Sequence, residues 1–434
     1  THRWKPGALS YGISVAEEQS RGYRENSDYH KWALGGELGY EFLPQNEVKV
    51  SARTIQKKIG LPGTVMYPDP DDNQKDGDTF LDLAYRGKVT PHLNLNFRGF
   101  HNAYRNLFDP GTQGFYSMGS SAALHKSNAT GGELQGTYAL GENHLLTSGF
   151  EAIEDRLNSA TVGVQRATRG AFYLQDEMEV LPPLPTTFGF RYDTHSIYSN
   201  QFNPRLGLVY RLPAEIRLRG SIGRSYRAPT FNDLYWPADS YTAGNPNLKP
   251  EVAWAYELGG EKKFGTFALF KAAGFYRDVK DLINWAAGPD WVWRPTNINS
   301  AKIWGTEVEL SFYPFRGLSI PLNYAYLYPR DENTGGPIPF KPKHIVNVGV
   351  EYAILGFKPS LKGRYVQYYL NQTATLNRDY FVLDARLGYE FTIDPSLKGE
   401  AFLSMTNALN RQYQVSEGYP MPPQSLNGGV SLAF

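Results

Sequence analysis

Cysteine is absent from the 434 residues of the chain, and so is any long apolar run. Without thiols the chain has no disulfide, no thiolate nucleophile and no cysteine-ligated metal. A transmembrane helix needs about 20 mostly apolar residues in succession, so the sequence predicts none. The formal net charge is only +1, which gives no reason to expect a nucleic-acid partner. The first residues, THRWKPGALS, lack the apolar core of a signal peptide.

Motifs of hydrolases and of phosphate-binding enzymes are missing as well. The sequence has no GxSxG or HExxH pattern and no GxxxxGK[ST] loop. Asp193 and His195 lie two residues apart in RYDTHS and therefore share one face of a strand. Because no nucleophile accompanies them, we interpret this pair as structural and predict that the chain is not an enzyme.

What the sequence does contain is strict alternation of apolar and polar residues, which is typical of strands. HLNLNFRGF and FVLDARLGYEF place leucine and phenylalanine on one face and asparagine, aspartate and arginine on the other. Runs of roughly 10 residues or more suit tilted strands that cross a membrane. We predict that the lipid-facing residues include Leu218, Leu383 and Leu387. The water-filled side should receive Arg217, Arg219, Asp384 and Arg386.

The connections between these segments alternate between short turns and long loops, as they do in outer-membrane barrels. Short turns occur at FLPQNE, VTPH and ALGEN. Long outer loops are predicted at 17–29, 59–78, 104–118, 226–250, 278–298 and 329–341. The pattern predicts an all-β fold, a transmembrane antiparallel β-barrel of about 20 strands. The alternative is a soluble β-protein in which the polar face of each strand meets water.

Five motifs then stand in order along the chain. They are RGYRENSDYHKWAL (21–34), GLPG (60–63), SYRAP (225–229) paired with GNPNLKPE (244–251), DWVWRPTNINSAKIWGTEVEL (290–310) and NALNRQYQVSEGYPMPP (407–423). Together they resemble the signature of the TonB-dependent outer-membrane receptors, mostly from about residue 200 onward. The terminal Phe434, which follows alternating apolar residues, is similar to the signal that the outer-membrane assembly machinery reads.

The resemblance implies a barrel of about 22 strands, plugged by an N-terminal domain and driven by the TonB complex. We predict that residues 1–434 are the transmembrane β-barrel domain, and that the plug and the first two strands are missing from this chain. The implied location is the outer membrane of a Gram-negative-type bacterium. The implied partners are the TonB complex through the plug, outer-membrane lipids and a small-molecule ligand, with a separate plug or surface protein as a further option. A plugless passive channel is the alternative function.

GLPG followed by the acidic loop YPDPDDNQKDGDTF resembles the cobalamin-receptor branch of this family. The implied ligand is therefore cobalamin or a related corrinoid. Calcium takes about six to eight oxygen ligands, which acidic loops can supply. We predict a calcium site that orders the outer loops and is formed by Asp69, Asp71, Asp76 and Asp78. A solvated acidic loop without an ion is the alternative.

Haem and ferric siderophores are the alternative ligands within the family. Haem receptors typically carry an axial histidine between the two paired boxes, and the interval TFNDLYWPADSYTAG has none. Siderophore recognition follows no fixed motif, so a siderophore receptor stays open.

Aromatic residues of the long loops can bind a flat, partly apolar ligand by contact area and stacking. We predict ligand contact for Tyr104, Tyr235, Trp236, Tyr241, Trp291 and Trp293. The alternatives are an interfacial girdle of aromatic residues or packing of a loop on itself.

The stretch Arg224–Glu251 interrupts regular strands with four prolines, which cannot continue a hydrogen-bonded ladder. We predict an ordered extracellular loop in which Arg227 is an anchor rather than a ligand contact. Asn245 and Asn247 should brace the return of the chain through hydrogen bonds to the backbone.

Overall fold

The fold is built almost entirely from long antiparallel strands. The computed structural model describes residues 2–5, 7–113, 121–179, 181–297, 300–338, 340–369, 379–395 and 397–433. The predicted C-terminal aromatic signal, Phe434, lies outside the described residues. No helix in the described part of the chain has the length and hydropathy to span a membrane.

Twenty-five strands and one short helix follow one another in these described ranges. The strands are β1 (His2–Trp4), β2 (Leu9–Ser20), β3 (Tyr29–Leu43), β4 (Asn46–Gly60), β5 (Asn73–Thr90), β6 (Leu93–Asp109), β7 (Ala123–Leu140), β8 (His144–Ser159), β9 (Gly163–Met178), β10 (Thr186–His195), β11 (Gln201–Leu212), β12 (Ile216–Arg227), β13 (Glu251–Phe264), β14 (Ala268–Lys280), β15 (Ile283–Ala287), β16 (Trp293–Asn297), β17 (Ala301–Phe312), β18 (Leu318–Asp331), β19 (Pro342–Tyr352), β20 (Phe357–Tyr368), β21 (Tyr380–Asp394), β22 (Leu397–Thr406), β23 (Gln414–Ser416), β24 (Tyr419–Pro420) and β25 (Ser425–Ala433). The helix is α1 (Phe231–Tyr235). Twenty of these strands have nine or more residues, which confirms the predicted count of about 20.

The chain divides into two compact units. The first unit comprises Thr1–Leu206, Gly223–Ala253 and Asp281–Ile298. The second unit comprises Gly207–Ile222, Trp254–Lys280 and Asn299–Phe434.

In the first unit, β2 to β10 form an antiparallel meander in which each strand pairs with the next. These strands have 10 to 18 residues, and about 9–11 suffice to cross a bilayer at a tilt. The short β1 pairs with β2 from His2↔Ile13 to Trp4↔Tyr11 and covers part of the edge of β2 that faces away from β3. That two further strands precede this edge stays a prediction.

In the second unit, β14 pairs with β17, and the antiparallel order then runs through β22 to β25. A small cluster of buried side chains, Val366, Tyr380 and Val382, joins β20 and β21. The ring of Tyr413 lies 4.3 Å from that of Tyr380 and packs the segment after β22 onto this cluster.

Apolar and charged side chains occupy opposite faces of the strands, as the alternation predicted. Leu218 is 42% exposed and Leu387 is 48% exposed. Their strand neighbours Arg217 and Arg386 form ion pairs with carboxylates of the adjacent strand, Glu261 at 2.8 Å and Glu400 at 2.6 Å. Since successive strand residues point to opposite faces, one face is left to apolar contacts and the other to paired charges.

Two predicted loop boundaries were wrong. The predicted loops 59–78 and 104–118 contain the start of β5 and the end of β6, which pair from Asn73↔Asp109 onward. The polar residues at these strand ends bond across the ladder, because Asp76 accepts hydrogen bonds from the Tyr104 hydroxyl (2.9 Å) and the Asn106 amide (2.7 Å). Because the sequence of a polar strand end resembles that of a loop, both boundaries were placed too far into the strands.

Candidate functional site

A cavity of about 870 Å³ lies within the first unit. Its wall is formed by β6 to β11 together with the end of β12 and the start of the following loop. The residues that line it include Tyr104, Asp155, Arg169, Arg191, Asp193, His195, Ile197, Tyr198, Asn203, Arg224, Tyr226, Arg227, Phe231 and Leu234. This volume is within the range of about 300–1,000 Å³ that small-molecule sites occupy.

One side of the cavity is an aromatic wall. The rings of His195 and Tyr198 stack with centroids 3.7 Å apart and planes 12° apart. Tyr226 meets Tyr198 edge-on at 6.3 Å. Burial, followed by the neighbouring Tyr226 phenol, raises the pKa of Tyr198 well above its usual range, so this phenol is a neutral donor and acceptor at physiological pH.

The hydrogen bonding of His195 fixes the role of its ring. The backbone N–H of Ile197 donates to Nδ1 of His195 at 3.1 Å. In the neutral ring Nε2 therefore carries the proton, since only one nitrogen can be an acceptor. The His195 ring thus presents a donor and a flat face to the cavity, and not a free nitrogen for a metal.

The charged side chains of the wall form a continuous network. Arg191 binds both Glu151 (2.7 Å) and Asp193 (2.8 Å). The Asn203 amide donates to Asp193 at 3.1 Å, and its oxygen accepts from Arg224 at 3.0 Å. Positive and negative groups alternate along this chain of contacts, so the wall offers many polar atoms at fixed positions.

The helix α1, whose Phe231 and Leu234 line the cavity, is held by Asp233. Thr230 caps the helix: its hydroxyl accepts from the Asp233 N–H (3.1 Å), and the Asp233 carboxylate accepts from the Thr230 N–H (2.9 Å). The indole N–H of Trp285 also donates to Asp233, at 3.0 Å. Burial opposes ionisation of Asp233, but these hydrogen bonds prevail and lower its pKa.

The ends of the loop are fastened by Glu251 and Asn297. Glu251 accepts two hydrogen bonds from the Arg227 guanidinium and a third from the Ile283 N–H at 2.7 Å. The Asn297 amide donates to the carbonyl of Lys249 at 2.9 Å and accepts from its N–H at 2.8 Å. Two chain segments, 227–251 and 281–297, are thereby joined into one body, which we call the loop pair.

The sequence-based roles of the anchors agree with these contacts, except at Asn247. Arg227 is an anchor, and the Asn245 amide donates to the carbonyl of Pro295 at 3.0 Å. Asn247 takes part through its backbone N–H, which donates to the Asn245 side chain at 3.0 Å. Its own amide has no hydrogen bond among the described residues.

The six aromatic residues that were predicted to contact ligand fall into three groups. Trp236 packs edge-on against Trp285 (6.3 Å), and its indole N–H donates to Thr242; Tyr235 stacks on Phe231. Tyr104 lines the cavity. The exposed group at the tip of the loop pair consists of Tyr241 (76%), Trp291 (82%) and Trp293 (50%). The first group stabilises the loop, and the other two are open to a ligand.

The acidic loop brings together Asp69, Asp71 and Asp72, with one carboxylate oxygen of each within 4.8 Å of the others. We call these three residues the acidic cluster. Asp76 and Asp78, predicted to share the site, lie on β5 instead, and Asp76 binds Gln74, Tyr104 and Asn106. Each strand residue advances the chain by about 3.3 Å, so β5 carries these two carboxylates away from the cluster.

The carboxylates of the acidic cluster are unequally satisfied. Asp71 accepts from the Thr112 and Gln113 N–H groups, which lowers its pKa. Asp72 is buried and lies beside Asp69 and Asp71, and burial followed by these charges raises its pKa to about 6. One oxygen each of Asp69 and Asp72 is buried without a hydrogen-bond partner among the described residues. Buried, unpaired carboxylate oxygens that converge are a suitable donor set for a hard cation.

The position of the cluster is fixed by its surroundings. The Asn26 side-chain amide donates to the carbonyls of Asp69 (3.2 Å) and Asp72 (2.8 Å). Gly111 has a φ of +63°, and a Cβ at this residue would lie 2.4 Å from the Asp71 carboxylate. A glycine is therefore required where the 110–113 segment approaches the cluster.

Residues 12–408 match the family model described as TonB dependent receptor-like, beta-barrel. The chain belongs to this family. Membership confirms the predicted fold class, a transmembrane β-barrel, and the predicted location in the outer membrane of Gram-negative bacteria.

Curated relatives of this receptor family show partial similarity to the chain. The vitamin B12 transporter BtuB of Photobacterium profundum is 25% identical over 333 residues, which cover 73% of this chain and 52% of the transporter. The ferric enterobactin receptor of Pseudomonas aeruginosa is 25% identical over 320 residues, with 62% and 42% covered. The chain thus spans about half the length of the curated relatives it matches.

Among solved structures, the FrpB iron transporter from Neisseria meningitidis (F3-3 variant) superimposes with a TM-score of 0.79. The match covers 99% of this chain and 78% of that chain at 15% identity. At this identity the likeness shows the fold alone.

The residues that line the cavity were mostly missed by sequence reasoning. Asp193 and His195 had been interpreted as a structural pair, and Tyr198 and Arg169 had not been considered. The signal that was available is RYDTHSIYSN, in which an alternating strand ends in a turn rich in polar and aromatic residues.

Proposed function

We propose that this chain is the barrel part of a receptor that captures a scarce, bulky ligand at the outer membrane and imports it with energy from the TonB complex. The observation that carries the proposal is the cavity of about 870 Å³, which is walled by fixed polar and aromatic side chains and bordered by an ordered loop. A site of this kind selects a ligand by shape and by many directed hydrogen bonds.

Cobalamin or a related corrinoid is the ligand we propose. Similarity to a vitamin B12 transporter over 73% of the chain supports it. The cavity wall offers both a flat aromatic face, from His195 and Tyr198, and numerous donors and acceptors. A large ligand with an apolar face and amide groups would use both kinds of contact.

A ferric siderophore is the second candidate, and the similarity to a ferric enterobactin receptor favours it. The exposed Tyr241 and Trp291 at the tip of the loop pair would suit an aromatic siderophore. Haem is less well supported, because Nδ1 of His195 already accepts a hydrogen bond.

Calcium is proposed as a structural ion of the outer loops, at a site revised by the geometry. The ligands would be Asp69, Asp71 and Asp72. A bound cation would satisfy the buried oxygens of Asp69 and Asp72 and hold Asp72 ionised despite its raised pKa. Asp76 and Asp78 would not take part.

The proposed partners are the TonB complex, acting through a plug domain, and the lipids of the outer membrane. A plugless passive channel is the competing proposal, and a plug on a separate chain is a variant of the first. Since the named relatives are transporters and receptors, we do not propose a catalytic activity.

Binding of cyanocobalamin and of ferric enterobactin to the full-length receptor tests the ligand. We expect Tyr198→Ala to weaken binding of the true ligand at least about tenfold, because it removes half of the stacked pair and a half-buried phenol that can hydrogen-bond. Tyr138→Ala is a matched control, since Tyr138 is 43% exposed on β7 and does not line the cavity. Failure of both ligands to bind the parent would contradict the proposed ligands.

Measurement of ligand uptake distinguishes a TonB-dependent receptor from a passive channel. If the protein is TonB-dependent, cells that express the full-length protein should take up the bound ligand only when TonB is present. Equal uptake in cells with and without TonB would establish passive diffusion and reject the receptor proposal.

A further inference from the structure

Six cationic side chains form a row on one face of the first unit. Each comes from a different one of the consecutive strands β4 to β9, and each is exposed. They are Lys58, Lys75, Arg105, Lys126, Arg156 and Arg166. We call this row the cationic band.

The strand register makes the band continuous. Three pairs lie directly opposite each other in the ladders: Lys58↔Lys75, Arg105↔Lys126 and Arg156↔Arg166. The pairs are linked diagonally, because Lys75 is opposite the residue two positions after Arg105, and Lys126 is opposite the residue two positions after Arg156. Direct and diagonal neighbours are within about 8 Å at their backbones, so no gap interrupts the row.

The band belongs to the face that presents apolar residues to lipid. Every member is six or eight residues from an exposed apolar residue of its own strand, and an even spacing places both on the same face. These apolar residues are Val50, Leu81, Phe97, Leu134, Phe150 and Leu174. At about 3.3 Å per residue, the charges lie roughly 20–27 Å further along each strand, near the ends that bear the acidic cluster and the 110–122 connection.

The band is not neutralised by the protein. Only Arg166 has a carboxylate partner, Glu154 on the same face; within the described ranges the other five members have no ion pair. The next charged residues on this face, Glu17 and His30, bind each other at 2.8 Å. Like charges directly opposite in a ladder are unfavourable, so a bound anion would stabilise this arrangement.

The opposite face of the same strands is arranged differently. There Lys49 pairs with Glu37 (2.8 Å), Arg98 with Asp82 (2.5 Å) and Arg169 with Asp155 (2.9 Å). Several inward cations thus have carboxylate partners, whereas Arg53, Lys57 and Arg86 on that face have none within the described ranges. The band differs from both sets because its six cations form one unbroken row across consecutive strands.

We propose that the cationic band binds the phosphate-bearing headgroups of glycolipids in the membrane leaflet next to the loops. Arginine and lysine are the usual phosphate ligands of proteins. Six strands at about 4.8 Å spacing make the band about 24 Å wide, which suits several headgroups side by side rather than one soluble anion. Its place above the lipid-facing apolar residues of the same strands favours a lipid over a protein partner. The proposal does not depend on which ligand is imported.

The test uses the full-length receptor in discs of phosphatidylcholine doped with lipid A, a bis-phosphorylated glycolipid, or with its dephosphorylated form. Native mass spectrometry counts bound glycolipid, and a titration gives its affinity. The band variant carries Lys58→Gln, Lys75→Gln and Arg105→Gln. The matched control carries Arg53→Gln, Lys57→Gln and Arg86→Gln, which remove the same charge from the inward face of β4 and β5. Far-ultraviolet circular dichroism verifies that both variants fold.

The parent and the control should retain bis-phosphorylated lipid A equally, and the band variant should bind it at least about tenfold more weakly. The difference should shrink at high salt, as expected for exposed charges. Equal retention by all three proteins, or equal binding of the dephosphorylated lipid, would overturn the proposal. So would displacement of lipid A by millimolar inorganic phosphate, which would identify a site for free anions.

Discussion

The loop pair and the acidic loop are both parts of the first unit, yet they treat buried carboxylates in opposite ways. In the loop pair, Asp233 and Glu251 are buried and each accepts several hydrogen bonds. In the acidic loop, Asp69 and Asp72 are buried to a similar degree, and each retains an oxygen without a partner in the described part of the chain. The carboxylates of the loop pair are therefore satisfied within the protein, whereas those of the acidic loop have oxygens free to bind a cation or a proton.

This difference indicates that the loop pair is ordered by its own hydrogen bonds, whereas the order of the acidic loop depends on a bound proton or cation. A buried carboxylate with charged and amide donors stabilises the segments that supply them. A buried carboxylate oxygen without a donor costs free energy until a proton or a cation reaches it. We expect the loop pair to be preformed in the free receptor and the acidic loop to respond to calcium and to pH.

The largest effect is expected for Glu251→Ala. The substitution removes both bonds to Arg227 and the bond to the Ile283 N–H, and should destabilise the loop pair by about 2–3 kcal/mol. Hydrogen exchange of segments 228–250 and 283–297 measures this change. Glu18→Ala is the control, because the exposed pair of Glu18 with Lys31 should contribute almost nothing. Unchanged protection in Glu251→Ala would mean that other contacts hold the loop pair.

The next effect concerns calcium. Asp69→Asn and Asp72→Asn should each weaken calcium binding at least about tenfold, because each removes a charged ligand of the acidic cluster. Asp76→Asn and Asp78→Asn are the matched controls on β5 and should bind as the parent does. Calorimetry with the full-length receptor distinguishes the two sets. A loss of calcium binding in the control pair would restore the site predicted from the sequence.

A smaller effect is expected from pH in the absence of calcium. The pKa of Asp72 is raised from 3.8 to about 6, so the folded loop binds more protons than the unfolded loop between these values. The stabilising contribution of this proton is therefore full in acid and is lost as the pH rises from about 4 to 6, about 3 kcal/mol in total, of which about 1 kcal/mol is lost between pH 5 and pH 7. Hydrogen exchange of segment 61–72 should show better protection at pH 5 than at pH 7. Asp72→Asn should remove this dependence, and a parent with the opposite slope would disprove it.

The smallest effect compares two tryptophans of the loop pair. Trp236→Phe loses the indole bond to Thr242 and should lower loop stability by about 1 kcal/mol. Trp291→Phe should leave stability unchanged, since Trp291 is 82% exposed, and should alter only ligand affinity. Thermal unfolding and ligand titration of both variants separate the roles. A ligand effect confined to Trp236→Phe would reverse the assignment.

The strands and their two faces could be predicted because apolar and polar residues alternate with a period of two in the sequence. Leu387 and Arg386 lie on opposite faces for no other reason than their adjacency. The role of Arg227 as an anchor also followed from its place at the end of an alternating run, just before prolines.

The cavity and the acidic cluster could not be predicted to the same degree. Tyr198, Asn203 and Tyr226 come from separate segments, and only the pairing of strands brings them together. In NQKDGDTF, inward-facing polar residues make the start of β5 resemble a loop, so the sequence grouped Asp76 and Asp78 with Asp69, whereas the structure places them on β5 and groups Asp69 with Asp71 and Asp72. Polar strands that face water carry too little hydrophobic contrast to reveal where they begin.

The bridge between the two halves of the loop pair has a mechanical consequence. Thr242 and Trp293 form a parallel bridge, and the N–H groups of Ala243 and Trp293 donate to the carbonyls of Trp293 and Tyr241. A load applied at the tip, near Trp291, is therefore shared by backbone bonds of both segments. The loop pair should therefore swing as a single lever with one relaxation time, and a ligand that touches either segment would restrain the motion of both.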